Sequence, residues 1–158
     1  MKLTIIEKLE TILNKDTSLF AYIEGKPFEQ IKTELGAEPL NIKVNDKGNL
    51  YICKYSQIDS DFSYKVVRQC RGIILEKGTN KIVAYPFDKF FNMAEERAEK
   101  VDFGTATIQE KVDGSIIKVY HYNGKWNIAT NGTIDARDAE ATDSLTGQKN
   151  NFYDLFHE

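Results

Sequence analysis

The stretch EKVDGSIIKVYHYNGKWNIAT, residues 110–130, decides how the chain is read. Asn123-Gly124 stands between two runs rich in β-branched and aromatic residues, a strong short-range signal for a type I′ hairpin. It predicts strands over SIIKVYHY and KWNIAT. The start of the stretch admits two readings. In one, Asp113-Gly114 is a second hairpin turn, with ATIQE (106–110) as the strand before it. In the other, Lys111 is a nucleophile fixed at the end of that strand. A lysine takes that role when burial or nearby cations supply the neutral amine. Gly114 adds no side chain past the turn, so a flat ligand can approach the backbone. Asp113 and Ser115 place short polar groups at the same mouth.

Outward from this stretch, alternation continues. RGIILE (71–76) and KIVAYP (81–86) predict a strand pair around KGTN. Leu40, Ile42 and Val44 alternate, NDKGN turns the chain, and Leu50 and Ile52 resume the alternation. Pro27 suits the first turn of a short helix that Gly36 ends. Leu3, Ile6, Leu9, Ile12 and Leu13 recur at helical spacing and predict an amphipathic helix over residues 3–14. AEERAEK (94–100) reads as a short helix or helical turn, and residues 137–156 as helical pieces broken near Gly147. There are no repeats, low-complexity tracts or linkers. The fold class is therefore α+β, with antiparallel sheet dominant in the middle of the chain.

A chain of 158 residues is expected to form one domain with a sizeable core. The apolar residues of MKLTIIEKLETILNK are interrupted by charges and form no signal peptide, and no run approaches a membrane span. Cys53 and Cys70 lack CxxC spacing and read as reduced thiols, which implies a cytoplasmic location. His121 and His157 read as surface imidazoles, and no metal ligand set is visible. The net charge of −3 does not advertise nucleic-acid binding. Its distribution is uneven: residues 65–118 carry 10 basic and 8 acidic groups, whereas residues 119–158 carry 3 and 6.

Three motifs then fall in one order: Cys70-Arg71-Gly72 before a strand ending in Glu76, Lys89-Phe90-Phe91-Asn92, and Lys111-Val112-Asp113-Gly114-Ser115. This series resembles the adenylation domain of the ATP-dependent RNA ligases of phage tRNA repair, the family typified by T-even phage RNA ligase 1. The resemblance runs from about residue 64 to 134. It implies a nucleotidyltransferase domain of the covalent ligase and mRNA-capping type, incomplete at its C-terminus. The single domain 1–158 would comprise N-terminal helices and hairpin (1–60), the adenylation core (64–134) and a helical tail (135–158).

The resemblance also implies a mechanism. ATP binds with Mg²⁺, and Lys111 attacks the α-phosphorus to give lysyl-AMP. AMP then passes to an RNA 5′-phosphate, and a 3′-hydroxyl seals the strand. The RNA ends of tRNA are among the implied partners. Arg71 and Lys89 would contact the phosphates or ribose, Glu110 would help place the adenine, and Asp113, Gly114 and Phe91 would lie near the nucleotide. Two departures stand out. Where the family has a lysine in S-K-G-S, this chain has Thr130-Asn131-Gly132-Thr133. No K-x-K pair follows Lys111, and the terminal FYDLFHE superficially resembles the family's ribose-binding Glu segment, but Glu158 arrives early and reads rather as a helix end. A chain cut inside a sheet would self-associate through an open edge. The alternative is a non-catalytic nucleotide- or RNA-binding module from the same family. Convergence of Lys111, Arg71 and Lys89 on one pocket is the geometry expected of the enzyme.

Overall fold

The central strands of the main sheet are apolar on both faces, and this dictates the layering. In the computed structural model, which describes residues 14–143 and 145–158, four antiparallel strands run in the order β1-β2-β3-β4. They are β1 (Ile42–Lys47), β2 (Leu50–Tyr55), β3 (Arg71–Glu76) and β4 (Ile82–Ala84). Tyr51, Cys53, Ile73 and Leu75 point to one face, and Leu50, Ile52 and Ile74 to the other. All seven are buried, so both faces must be covered.

Three short helices cover the first face: α1 (Leu19–Ile23), α2 (Phe28–Gly36) and α3 (Lys65–Gln69). Leu19, Ile23, Ile31, Leu35, Val66 and Val67 leave water there, each by enough to stabilise the fold by roughly 1.5–3 kcal/mol before entropy is counted. Ser18 caps α1 by accepting from the Ala21 N–H, and Pro27 occupies the N-cap of α2, one position before the predicted place. The second face is covered by a separate hairpin of β5 (Ile117–Tyr122) and β6 (Lys125–Thr130). Tyr120, Ala129 and Ile134 pack there on Leu50, Ile52 and Ile74. The hairpin closes as its sequence dictates: Asn123 and Gly124 take φ values of 51° and 74°, both positive as a type I′ turn requires.

The α+β class with antiparallel sheet holds, as do the strands expected around NDKGN, KGTN and Asn123-Gly124. The helix expected over residues 3–14 lies outside the described residues, apart from its last position. Elsewhere the structure corrects the reading. ATIQE forms no strand, because β5 pairs with β6 alone and offers these residues no ladder partner. Ile108 and Val112 are exposed as a result. AEERAEK forms turns and no helix, and residues 85–116 as a whole contain neither helix nor strand. Residues 137–156 are not chiefly helical. After a 3₁₀ turn (Ala136–Asp138), β7 (Glu140–Thr142) and β8 (Lys149–Asn151) make a small hairpin, and only Phe152–His157 (α4) is α-helical. The break near Gly147 is real, but it is a hairpin loop, with Gly147 at φ 70°.

Asn80 joins the helical layer to the sheet. Its φ of 54° ends the KGTN turn. Its Nδ2 donates to the carbonyls of Ile23 and Lys26, both at 3.0 Å, and its Oδ1 accepts from the Tyr51 hydroxyl at 2.9 Å. Tyr51 is fully buried, so without Asn80 its hydroxyl loses its partner in a dry environment. Asn80→Ala is expected to lower unfolding free energy by ~2–4 kcal/mol, from the orphaned hydroxyl and the left-handed backbone together. Urea denaturation measures this directly, and a loss below ~0.5 kcal/mol, the size of an ordinary surface change, would show that the network does not hold the layers.

Candidate functional site

Gly72 lets the two sheets meet. It follows Arg71 at the start of β3 and has φ 88°. A Cβ there would lie 2.6 Å from the Asn131 carbonyl oxygen and 2.8 Å from Lys118 Nζ. Because that atom is missing, Lys118 of β5 reaches across and donates from Nζ to the Gly72 carbonyl. Asn131, in the turn after β6, closes on the same point. The Cys70-Arg71-Gly72 motif thus has a packing reason for its glycine.

Around this junction lies a cavity of about 560 Å³, lined in part by Arg71, Lys118, Asn131, Asp88, Phe87 and Ile116. A neighbouring recess of about 420 Å³ shares Arg71 and Asn131 and adds Lys54, Ser56 and Gln57. Lys54 and Arg71 are direct cross-strand partners at a bulge between β2 and β3. The cavity wall is set from behind by a chain of hydrogen bonds. The buried Gln69 accepts from the Leu19 N–H at 2.7 Å and donates to the Tyr85 hydroxyl at 3.1 Å, and Tyr85 donates to Asp88 at 2.6 Å. Burial, then the bond to Asp88, pushes the Tyr85 phenol up to about 12, so it stays a donor.

Burial, reinforced by the neighbouring Lys54 ammonium, brings Lys118 down to about 8. No ion pair involves Lys54, Arg71 or Lys118 among the described residues. The Asn131 Oδ1 is buried and lacks a hydrogen-bond partner.

The residues singled out from the sequence are brought together only in part. The Arg71 guanidinium lies over the Phe90 ring at 4.8 Å, and Lys89 Nζ donates to the Phe90 backbone carbonyl at 3.0 Å, so both cations contact this residue, one at its ring and the other at its main chain. Lys89 also lies 4.8 Å from the Phe91 ring, which packs edge-on against Phe62. Lys89 lines an adjoining groove that shares Phe87 and Asp88 with the Arg71 cavity. Lys111 does not join them. Glu110, Lys111, Asp113 and Gly114 are exposed and line none of these cavities. The expected convergence of Lys111, Arg71 and Lys89 is therefore absent, because no strand fixes residues 106–110. Ile116, five residues after Lys111, is the point at which this segment reaches the cavity. Glu76 ties the sheets together by accepting from the Tyr122 hydroxyl at 2.9 Å, and Glu158 caps the end of α4.

Sequence reasoning missed Lys54 and Lys118. Lys118 shares a strand face with Tyr120, which β5 buries, but the sequence alone did not say which face of the strand is turned inward. Among the described residues no group of three or more His, Cys, Asp or Glu side chains is arranged to hold a metal. No helix among them is long and apolar enough to cross a membrane.

Residues 69–154 match the protein family described as RNA ligase. A protein of Autographa californica nuclear polyhedrosis virus that carries the name bifunctional polynucleotide kinase/RNA ligase is 34% identical over 114 residues, covering 66% of this chain and 16% of its own. The RNA ligase of Rhodothermus phage RM378 is 32% identical over 119 residues, covering 60% of this chain and 27% of its own. The chain thus spans about a sixth to a quarter of the length of these curated relatives. The family match takes in more than half of the chain, including the glycine junction, the Lys89 aromatics and the Lys111 motif, and by it the chain belongs to the phage-type RNA ligase family.

Proposed function

We propose that the chain carries the nucleotide-transfer chemistry of an ATP-dependent RNA ligase, with Lys111 as nucleophile. The observation that carries this reading is the family match across residues 69–154, which includes Lys111 in a K-x-D-G-S setting and Arg71 in its cavity. Neutral Lys111 Nζ forms a bond to the α-phosphorus of ATP as the bond to pyrophosphate breaks, and the amine loses a proton. An RNA 5′-phosphate oxygen then takes the adenylyl group and frees the lysine. A 3′-hydroxyl attacks that 5′-phosphorus and releases AMP. Mg²⁺ accompanies ATP as the usual counter-ion of its phosphates.

Arg71 and Lys89 supply fixed positive charge where negative charge accumulates. Glu110 helps place the adenine, and Phe91, Asp113 and Gly114 lie near the nucleotide. Lys111 reaches it when the exposed segment before Ile116 folds over the Arg71 cavity. Five residues separate Lys111 from Ile116 and span at most about 17 Å, which bounds how far the amine can reach from that anchor. The proposed domain is of the adenylating nucleotidyltransferase type, acting on RNA ends.

Incubation with α-labelled ATP and Mg²⁺, followed by a denaturing gel, is expected to show protein-bound label that peptide mass spectrometry places on Lys111. Lys111→Ala should reduce the label to background, and an adduct on any other lysine would overturn the assignment. Arg71→Ala should slow adduct formation by ~10²-fold, the usual loss on removing one fixed transition-state donor. A second reading is favoured by the exposed position of Lys111 outside the cavity: a non-catalytic module that binds nucleotide without turnover. ATP binding with no adduct in the wild-type chain would select it.

A further inference from the structure

Three cations from three strands meet at the Gly72 junction, with no carboxylate paired to any of them among the described residues. Lys54 and Arg71 stand directly opposite each other across β2 and β3, where like charges repel. Lys118 lies behind them, buried, its ammonium held only by the Gly72 carbonyl among the described hydrogen bonds. A buried cation without a counter-charge is costly, and two more beside it add to that cost. Among the described residues Asp88 is the one acidic side chain lining the cavity, and its carboxylate is already engaged by Tyr85. An anion held in this space would relieve all three cations at once.

The shape narrows the choice of anion. The two recesses adjoin at Arg71 and Asn131, so ligand groups seated in either one meet the same guanidinium. One recess presents apolar surface from Pro86, Phe87 and Ile116, and the other is polar with Lys54 and Ser56. A ligand with a flat apolar end and an extended anionic tail fits both. We infer that Lys54 and Lys118 bind phosphate and, with Arg71, form a three-cation cradle for the polyphosphate tail of the bound nucleotide.

This inference rests on the reading of the chain as a user of ATP. It adds two residues to the site and a consequence for pH. Lys118 titrates at about 8, with Lys54, Arg71 and Asp88 as the charged groups facing it. A bound phosphate favours its ammonium form. ATP affinity should therefore fall as pH rises through about 8, where the free protein loses that charge.

The test is calorimetric binding of ATP, AMP and adenosine to the full chain in the Lys111→Ala background, where no adduct can form at that lysine. Lys118→Met and Lys54→Met should each weaken ATP binding by ~10-fold or more, as expected for a lost charge-assisted bond. AMP should suffer less, and adenosine not at all. Lys118→Arg should keep the affinity and remove its pH dependence. Lys54 is exposed, so its replacement reports on binding even where Lys118→Met does not fold.

The inference is overturned by wild-type ATP affinity in both methionine variants, or by an equal loss for adenosine. It is also overturned by no ATP binding at all, or by variants that lose a 5′-phosphorylated RNA oligonucleotide and keep ATP. Lys118-dependent ATP binding in a protein that forms no adduct would sink only the lysyl-AMP reading. An adduct on Lys111 with ATP binding indifferent to Lys54 and Lys118 would sink only the cradle.

Discussion

The absence of a side chain at position 72 is the constraint on which the rest of the structure depends. Any Cβ there would strike the Asn131 carbonyl and the Lys118 ammonium, and the backbone already sits at a φ that L residues rarely adopt. With glycine in place, the β5–β6 hairpin settles on the second face of the main sheet and completes its apolar layer. The same approach brings a lysine from β5 beside an arginine from β3 and a lysine from β2. Packing and charge therefore have one origin.

Strong local signals transmitted well from sequence to fold. Asn123-Gly124 announced its hairpin because few residue pairs tolerate two successive positive φ values. The apolar run RGIILE announced a central strand, and its burial on both faces follows from its lack of alternation. Where signals were weak, partners decided. ATIQE has the composition of a strand but no neighbour to bond with, and the backbone around it stays irregular. The region after residue 136 is polar and short-paced, so its helical appearance yielded to an Asp143 turn and a hairpin.

The site was legible at a different level. Arg71, Lys89 and Lys111 were found as a pattern of motifs, and the pattern was sound as a family signature. Their geometry was not visible in that pattern. Arg71 and Lys89 both contact Phe90, by its ring and its main chain, whereas Lys111 sits on a segment that no ladder holds. Lys118 was hidden for the opposite reason. A lysine inside an apolar strand is usually taken as outward-facing, and SIIKVYHY permits both parities. Contacts with Gly72, a residue 46 positions earlier, selected the inward one.

The hydrogen-bond chain from the Leu19 amide through Gln69 and Tyr85 to Asp88 crosses from the helical layer to the cavity wall. Each link has a fixed polarity: the amide must donate to Gln69 Oε1, which turns its Nε2 towards Tyr85, which turns the phenol proton towards Asp88. That polarity keeps the carboxylate committed and out of competition with an incoming anion. The N-terminal helical layer thus acts on the cavity as an electrostatic support. It keeps the Asp88 carboxylate on the cavity wall engaged, so that the positive field around Lys118 is supported by residues 30 or more positions before it in sequence.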